Sequence, residues 1–246
     1  MIGIISLLLA LVISLCWYVP CVKAQGENSV LGLKDYIRTA LVYGFLFSCL
    51  LIIITEIIWD IIVNRTGLSG LPRELIADFF RAALLEETFK FLGFKLAKKN
   101  LRLHRKIDYM LIAGLIGLVY GVVEKAVLGN IFAVVVGLAI PMHIVWQLNQ
   151  GGHYYEYEQH KAAGRSQEAQ KEWLMAILVP FLLHGCWDSG LSIAAYCVNR
   201  EEILPQVFGG VLFLALVVCG VIYCVKTVLK VRQVAKEEGT VAGEAG

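Results

Sequence analysis

Charged residues are scarce in this 246-residue sequence, and that scarcity limits the class of protein. Asp, Glu, Lys and Arg together make up 17% of the chain, and apolar residues make up 58%. An ordinary soluble domain has roughly a quarter charged and about half apolar residues. The mean hydropathy of +0.70 is far on the apolar side. The composition therefore excludes an ordinary soluble domain and predicts a polytopic membrane protein embedded in a lipid bilayer.

Three further absences narrow the fold. The sequence lacks the period-two alternation of strands, which argues against a transmembrane β-barrel. It has no internal repeat, and its seven cysteines are odd in number and lie in or beside apolar segments, so a disulfide framework is not expected. A net charge of only +2 gives no reason to expect nucleic acid as a partner. We predict one all-α domain.

Apolar segments of the length that crosses a membrane recur along the chain. A helix needs about 20 mostly apolar residues to span the hydrocarbon. The fold class is therefore predicted to be a polytopic transmembrane helix bundle of about seven spans. The segments that meet this length are 2–22, 39–63, 78–97, 107–127, 131–150, 173–198 and 207–225.

These spans divide the chain into three parts. We expect residues 1–24 to form the first transmembrane span, residues 25–236 a single helical domain, and residues 237–246 a short polar C-terminal tail. A signal peptide cleaved after Ala24 is the alternative for the first part. That alternative is disfavoured because the segment lacks the basic residues with which signal peptides begin.

The distribution of Lys and Arg predicts the orientation in the membrane. Basic residues cluster in the segments 95–106 and 226–236, and a seven-span topology places most of the 22 Lys and Arg residues on the same side. Because cytoplasmic connections carry an excess of Lys and Arg, that side is predicted to be the cytoplasm. The C-terminus should therefore be cytoplasmic.

Several ionisable residues fall inside the predicted spans. An ionisable group at the centre of a membrane helix costs about 2.5 to 3.5 kcal/mol on insertion scales, so such groups should pair or line a polar cavity. With a rise of about 1.5 Å per residue, Glu86, His143 and His184 lie at a similar depth near mid-membrane. Their side chains are predicted to face one another. The full set is Glu86, Glu87, Lys90, Glu124, His143, His184 and Asp188.

Helical spacing suggests how two pairs are arranged. Glu86 and Lys90 are four residues apart, so an ion pair would neutralise one of the two adjacent carboxylates and leave the other available for chemistry. The spacing does not decide whether Glu86 or Glu87 faces the other groups, and a purely structural ion pair has the same spacing. His184 and Asp188 are also four apart, so Asp188 would accept a hydrogen bond from the imidazole and fix its tautomer.

Together these groups match the chemistry of water activation. A carboxylate base, two histidines at one depth and an orienting carboxylate are what such a reaction requires. Two other classes use similar residues. A non-catalytic membrane scaffold would not need the intact carboxylates, and a proton-coupled transporter usually shows two repeated halves, which are not visible here.

Four motifs occur in the order and rough spacing of a known family. The chain from about residue 80 to residue 190 resembles the PrsW family of intramembrane proteases and, more distantly, the type II CAAX prenyl proteases. The resemblance implies hydrolysis of a peptide bond in a single-span membrane protein such as an anti-sigma factor, in regulated intramembrane proteolysis at the plasma membrane. The motifs are "EETFK" at 86–90, "YGVVE" at 120–124, "HIVWQLNQG" at 143–151 and "HGCWD" at 184–188.

The resemblance also implies roles for the site residues. Glu86 or Glu87 would act as the general base, and His143 and His184 would polarise the scissile carbonyl or hold a metal that does so. Zinc is one expectation, with Glu124, His143 and His184 as its ligands. The sequence contains no HExxH motif, and a metal-free glutamate mechanism is an equal alternative.

Overall fold

The computed structural model describes residues 2–24, 31–101, 103–127 and 139–244, and every regular element within these ranges is a helix. The prediction of an all-α fold is therefore confirmed. We number the described helices in chain order, and α2 and α3 each consist of three consecutive segments. They are α1 (Ile2–Ala24), α2 (Leu33–Arg38, Thr39–Leu46 and Phe47–Thr66), α3 (Gly70–Ile76, Ala77–Glu86 and Glu87–Asn100), α4 (Lys106–Val127), α5 (Ala139–Ala162), α6 (Ser166–Val198) and α7 (Ile203–Glu244).

The middle segments of α2 and α3 are π-helical. A π-helix is hydrogen-bonded from residue i to residue i+5, is rare, and often occurs at functional sites. The π-helical segment of α3 ends at Glu86, and the α-helical segment that follows begins at Glu87. The acidic pair therefore stands at a change of helical geometry that hydropathy does not predict.

Four of the described helices are long and apolar enough to cross a membrane. Helices α3 and α5 fall short because they carry many of the ionisable and amide side chains of the chain. Residues 131–138 of the fifth predicted span lie outside the described residues. The apolar helices support an integral membrane protein, with about seven spans as an approximate count. The four helical stretches are Leu33–Val63, Lys106–Glu124, Ser166–Val198 and Ile203–Glu238, and Leu11–Ala24 is a shorter apolar helix.

Two polar segments outside the predicted spans are helical. Residues 151–172, which separate two predicted spans, consist mainly of helix, because α5 continues to Ala162 and α6 begins at Ser166. Gly164 in the short turn has a φ of +71°, which glycine adopts without steric cost. The predicted tail is also helical as far as Glu244. Polar composition indicates contact with water, which a helix with a polar face can make as well as a loop can.

Helix α4 lies at the centre of the bundle. In its apolar stretch 83% of the residues are buried, against 17% in α7. One face of α4 is covered by α5, since a Cβ atom on Gly117 would lie 2.4 Å from the carbonyl oxygen of His143. A Cβ atom on Gly121 would lie 2.9 Å from Cδ2 of the same histidine. The glycines therefore serve close helix packing, and they fix the position of His143 against α4.

Candidate active site

The ionisable residues predicted to face one another do meet inside the bundle. Helix α3 contributes three of them, and α4, α5 and α6 contribute the rest. The central side chains are buried, with exposed fractions of 2% for Glu87 and 6% for Glu86. The residues brought together are Glu86, Glu87, Lys90, Glu124, His143, His184 and Asp188.

Glu87 is surrounded by hydrogen-bond donors. Its Oε1 accepts a hydrogen bond from Lys90 Nζ at 2.7 Å and contacts His184 Nδ1 at 2.8 Å. Its Oε2 accepts a hydrogen bond from Gln147 Nε2 at 2.6 Å. Three partners compensate for the loss of water around this buried carboxylate. Glu87 therefore has a structural role, because it links helices α3, α5 and α6 at the site.

Glu86 has a different environment, although it is the preceding residue. Its Oε2 lies 3.4 Å from Lys90 Nζ and 4.0 Å from His184 Nε2. This oxygen is buried and has no hydrogen-bond partner. A buried carboxylate oxygen without a donor is costly, and such atoms call for an explanation such as a catalytic role or a bound ligand. Of the two carboxylates, Glu86 is thus the one that can still accept a proton or bind a ligand.

His143 is held from both sides. Its Nδ1 lies 2.9 Å from Lys90 Nζ, and its Nε2 lies 3.0 Å from Glu124 Oε2. An ammonium group can only donate, so Nδ1 accepts and the ring proton is assigned to Nε2, which donates to Glu124. The contacts therefore select one tautomer of His143.

His184 stands between two carboxylates. Its Nδ1 faces Glu87 Oε1 at 2.8 Å, and its Nε2 faces Asp188 Oδ2 at 3.1 Å. Ionised carboxylates only accept hydrogen bonds, so this placement suits a ring that donates from both nitrogens. The indole of Trp146 stacks on the imidazole with ring centroids 4.6 Å apart. The predicted contact between His184 and Asp188 is confirmed.

Three of these residues could hold a metal ion. Glu86, His143 and His184 each offer a ligand atom, and these atoms lie within 4.8 Å of one another. Two imidazoles and one carboxylate form a ligand set that zinc takes in proteins, with a fourth position left open. The ligand set expected from the sequence has Glu124 in place of Glu86. In the structure Glu124 contacts the ring of His143, which is how carboxylates commonly support a histidine ligand.

Gln147 and Trp146 also contact the ionisable residues of the site, although the sequence does not predict a role for them. Gln147 is four residues after His143, so helical spacing alone could have placed both on one face. The neutral amide of Gln147 costs less free energy in a membrane than an ion does, so it is not conspicuous in the sequence. Helical spacing predicts an ion pair between Lys90 and Glu86. The closer partner of Lys90 is Glu87, three residues away.

The chain is similar to known proteins. A family described as PrsW family intramembrane metalloprotease matches residues 34–225, which include every residue of the site. Protease PrsW of Clostridioides difficile (strain 630) is 26% identical over an alignment of 174 residues, and the alignment covers 65% of this chain and 72% of that protein. No solved structure matches significantly. The chain therefore belongs to the PrsW family of intramembrane metalloproteases, and it is an integral membrane protease.

Proposed function

We propose that this protease is an endopeptidase that hydrolyses a peptide bond in a membrane-anchored protein with water activated by Glu86. The observation that supports this role is the contrast within the acidic pair. Glu87 accepts hydrogen bonds from three donors, whereas Oε2 of Glu86 is buried with none. A carboxylate oxygen with a free lone pair can take a proton from an attacking water, which is the task of a general base.

The surrounding side chains support the remaining steps. Attack of the water on the scissile carbonyl produces a tetrahedral oxyanion, which is stabilised by hydrogen-bond donors already in position. His184 is held through Nδ1 by Glu87, and its N–H at Nε2, which lies 3.1 Å from Asp188 and 4.0 Å from Glu86, would turn from Asp188 to donate to that oxyanion. The proton taken by Glu86 then passes to the leaving nitrogen, and the peptide bond breaks.

Zinc is the metal that this ligand set suits. Zn²⁺ bound by Glu86, His143 and His184 would require Nε2 of His184 to release its proton, and the ion would then polarise the scissile carbonyl and supply a hydroxide at neutral pH. The closeness of the three ligand atoms supports the fit, as does Oε2 of Glu86, which accepts no hydrogen bond. The metal-free glutamate mechanism uses the same residues. Loss of cleavage after chelation, and its return with added Zn²⁺, would favour the metal.

The proposed substrate is a single-span membrane protein such as an anti-sigma factor, cleaved in regulated intramembrane proteolysis. The burial of the site among apolar helices supports a substrate that is itself in the membrane. A substrate of this kind would place the protease in the plasma membrane. The basic residues of 95–106 and 226–236 support a cytoplasmic C-terminus.

Reconstitution in proteoliposomes tests the proposal. A panel of single-span membrane proteins is incubated with the wild type, with Glu86→Gln and with Glu74→Gln. Glu74 is a matched control because it lies on the same helix, is exposed and pairs with the neighbouring Arg73. We expect cleavage by the wild type and by Glu74→Gln and none by Glu86→Gln. Cleavage by Glu86→Gln at the wild-type rate would refute the role of Glu86.

A further inference from the structure

The ammonium group of Lys90 lies among the candidate metal ligands. Its Nζ is 2.9 Å from Nδ1 of His143 and 3.4 Å from Oε2 of Glu86. Both residues belong to the set whose ligand atoms lie within 4.8 Å of one another. Lys90 is only 2% exposed, and its Nζ also lies 4.2 Å from the centroid of the Tyr120 ring. The lysine therefore reaches into the site from α3.

Lys90 and a metal ion would use the same atoms. An ammonium is a compact cation that contacts imidazole nitrogen and carboxylate oxygen, as zinc does. A lone pair on Nδ1 of His143 cannot accept a hydrogen bond from Lys90 and bind a metal at once. The other ring nitrogen of His143 is engaged by Glu124. Occupation of this ligand by a metal therefore requires the lysine to leave it.

Glu87 gives the lysine a second place to bind. Its Oε1 lies 2.7 Å from Lys90 Nζ, and Glu87 is not one of the three candidate ligands. An ammonium that releases His143 and Glu86 would keep this ion pair and would not become an isolated buried charge. The exchange thus avoids the large cost of leaving a buried ion without a partner.

We propose that Lys90 is an internal competitor for the metal site, which holds Glu86 and His143 when no metal is bound and withdraws towards Glu87 when a metal binds. This inference rests on the proposed metal site. Lys90 then lowers the metal affinity of the protein, and it neutralises part of the buried negative charge in the metal-free state.

Metal binding by the full-length protein in detergent tests the inference directly. The probe is Co²⁺, followed by calorimetry and by the absorption of the bound ion, so that the readout does not depend on cleavage. For Lys90→Gln we expect a Kd on the order of 10- to 100-fold lower than that of the wild type, because a hydrogen bond to a charged group no longer has to be broken. Lys95→Gln is the matched control, since Lys95 is an exposed lysine of the same helix, and its Kd should equal that of the wild type.

Two more variants complete the experiment. His143→Ala should bind Co²⁺ much more weakly than the wild type. Lys90→Arg covers the case in which Lys90→Gln does not fold. Because its guanidinium stays charged and offers five donors, it should bind Co²⁺ no more tightly than the wild type.

Three results would overturn the inference, and they differ in whether the proposed metal site survives. Equal Kd values for the wild type and Lys90→Gln, with binding lost in His143→Ala, would leave the metal site intact and remove the competitor. Tighter binding by Lys90→Arg would have the same meaning. Absence of Co²⁺ binding in every variant, with substrate cleavage retained, would refute both the competitor and the metal and leave the glutamate mechanism standing.

Discussion

At the scale of single residues, the adjacent glutamates of α3 differ in what surrounds them. Glu87 is held by Lys90, His184 and Gln147, whereas Oε2 of Glu86 accepts no hydrogen bond and has only a longer ion pair with Lys90. Successive residues of a helix point about 100° apart, so two neighbours can serve separate purposes. The acidic motif therefore combines a carboxylate that organises the site with one that is free to react.

This difference predicts opposite effects on activity and stability. Glu86→Gln should abolish cleavage while leaving the unfolding temperature near that of the wild type. Glu87→Gln should lower the unfolding temperature, because loss of one partner of a buried ion pair costs about 3 to 5 kcal/mol. Thermal unfolding in one detergent, measured beside cleavage, checks both. A more stable Glu87→Gln protein would contradict the organising role of Glu87.

His184 and Asp188 should also be separable. His184→Ala is expected to abolish cleavage, because the ring is the donor placed for the oxyanion. Asp188→Asn should reduce kcat by only about 10- to 100-fold, since the amide oxygen can still accept a hydrogen bond from the ring. Single-turnover cleavage of a reconstituted substrate measures both rates. Equal losses would show that Asp188 takes part in the reaction itself.

At the scale of helices, the contact between α4 and α5 determines where His143 stands. The backbone of α5 lies against Gly117 so closely that the glycine has no room for a side chain. Any widening of this contact would move His143 relative to Glu86 on α3. The close packing at Gly117 therefore helps to set the position of His143 in the site.

Gly117→Ala should therefore impair the protein in two ways. The added methyl group would meet the carbonyl oxygen of His143, and overpacking of this kind costs about 1 to 3 kcal/mol or more. We expect a lower unfolding temperature and slower cleavage. Gly210→Ala on α7 is the control, because its Cβ atom would meet nothing within 4 Å. Replacing that helical glycine should be neutral or stabilising by up to about 1 kcal/mol.

The sequence predicts the helices better than it predicts their details. Apolar length identified the helices because a membrane leaves the backbone no alternative. The π-helical segment Ala77–Glu86 could not be predicted, since its hydrogen-bond register depends on contacts with other helices. The residues of the site were found because buried ions are costly and hence conspicuous. Gln147 is neutral and therefore could not be recognised in this way. The different roles of Glu86 and Glu87 could be told apart only from the distances between their oxygens and the neighbouring donors.

At the scale of the whole molecule, orientation is open to direct measurement. A reporter that is active only in the cytoplasm should be active when fused after Lys236 and inactive when fused after Arg200. The reason is the concentration of Lys and Arg in the segments predicted to be cytoplasmic. The opposite pattern of activity would overturn the predicted topology.

The same topology predicts where a substrate is cut. Glu86 is expected about 12 Å below the outer surface, from a rise of about 1.5 Å per residue. A substrate helix must unwind before hydrolysis, and water satisfies the freed backbone groups most easily near the membrane boundary. We expect cleavage in the outer half of the substrate or just outside the membrane, with Gly or Pro nearby increasing the rate. Mass spectrometry of the fragments locates the cut. A cut in the cytoplasmic third of the substrate helix would contradict the predicted topology or the assignment of the site.

The tight seam between α4 and α5 also bears on how an extended chain reaches the buried carboxylates. At Gly117 that seam brings the backbone of α4 against the backbone of α5. Helices α3 and α6 instead meet through side chains, among them the ring of Phe79 over Gly185 and the contact of Glu87 with His184. Because side chains can rotate, whereas a backbone contact opens only when a helix moves, an extended substrate is expected to reach the carboxylates between α3 and α6.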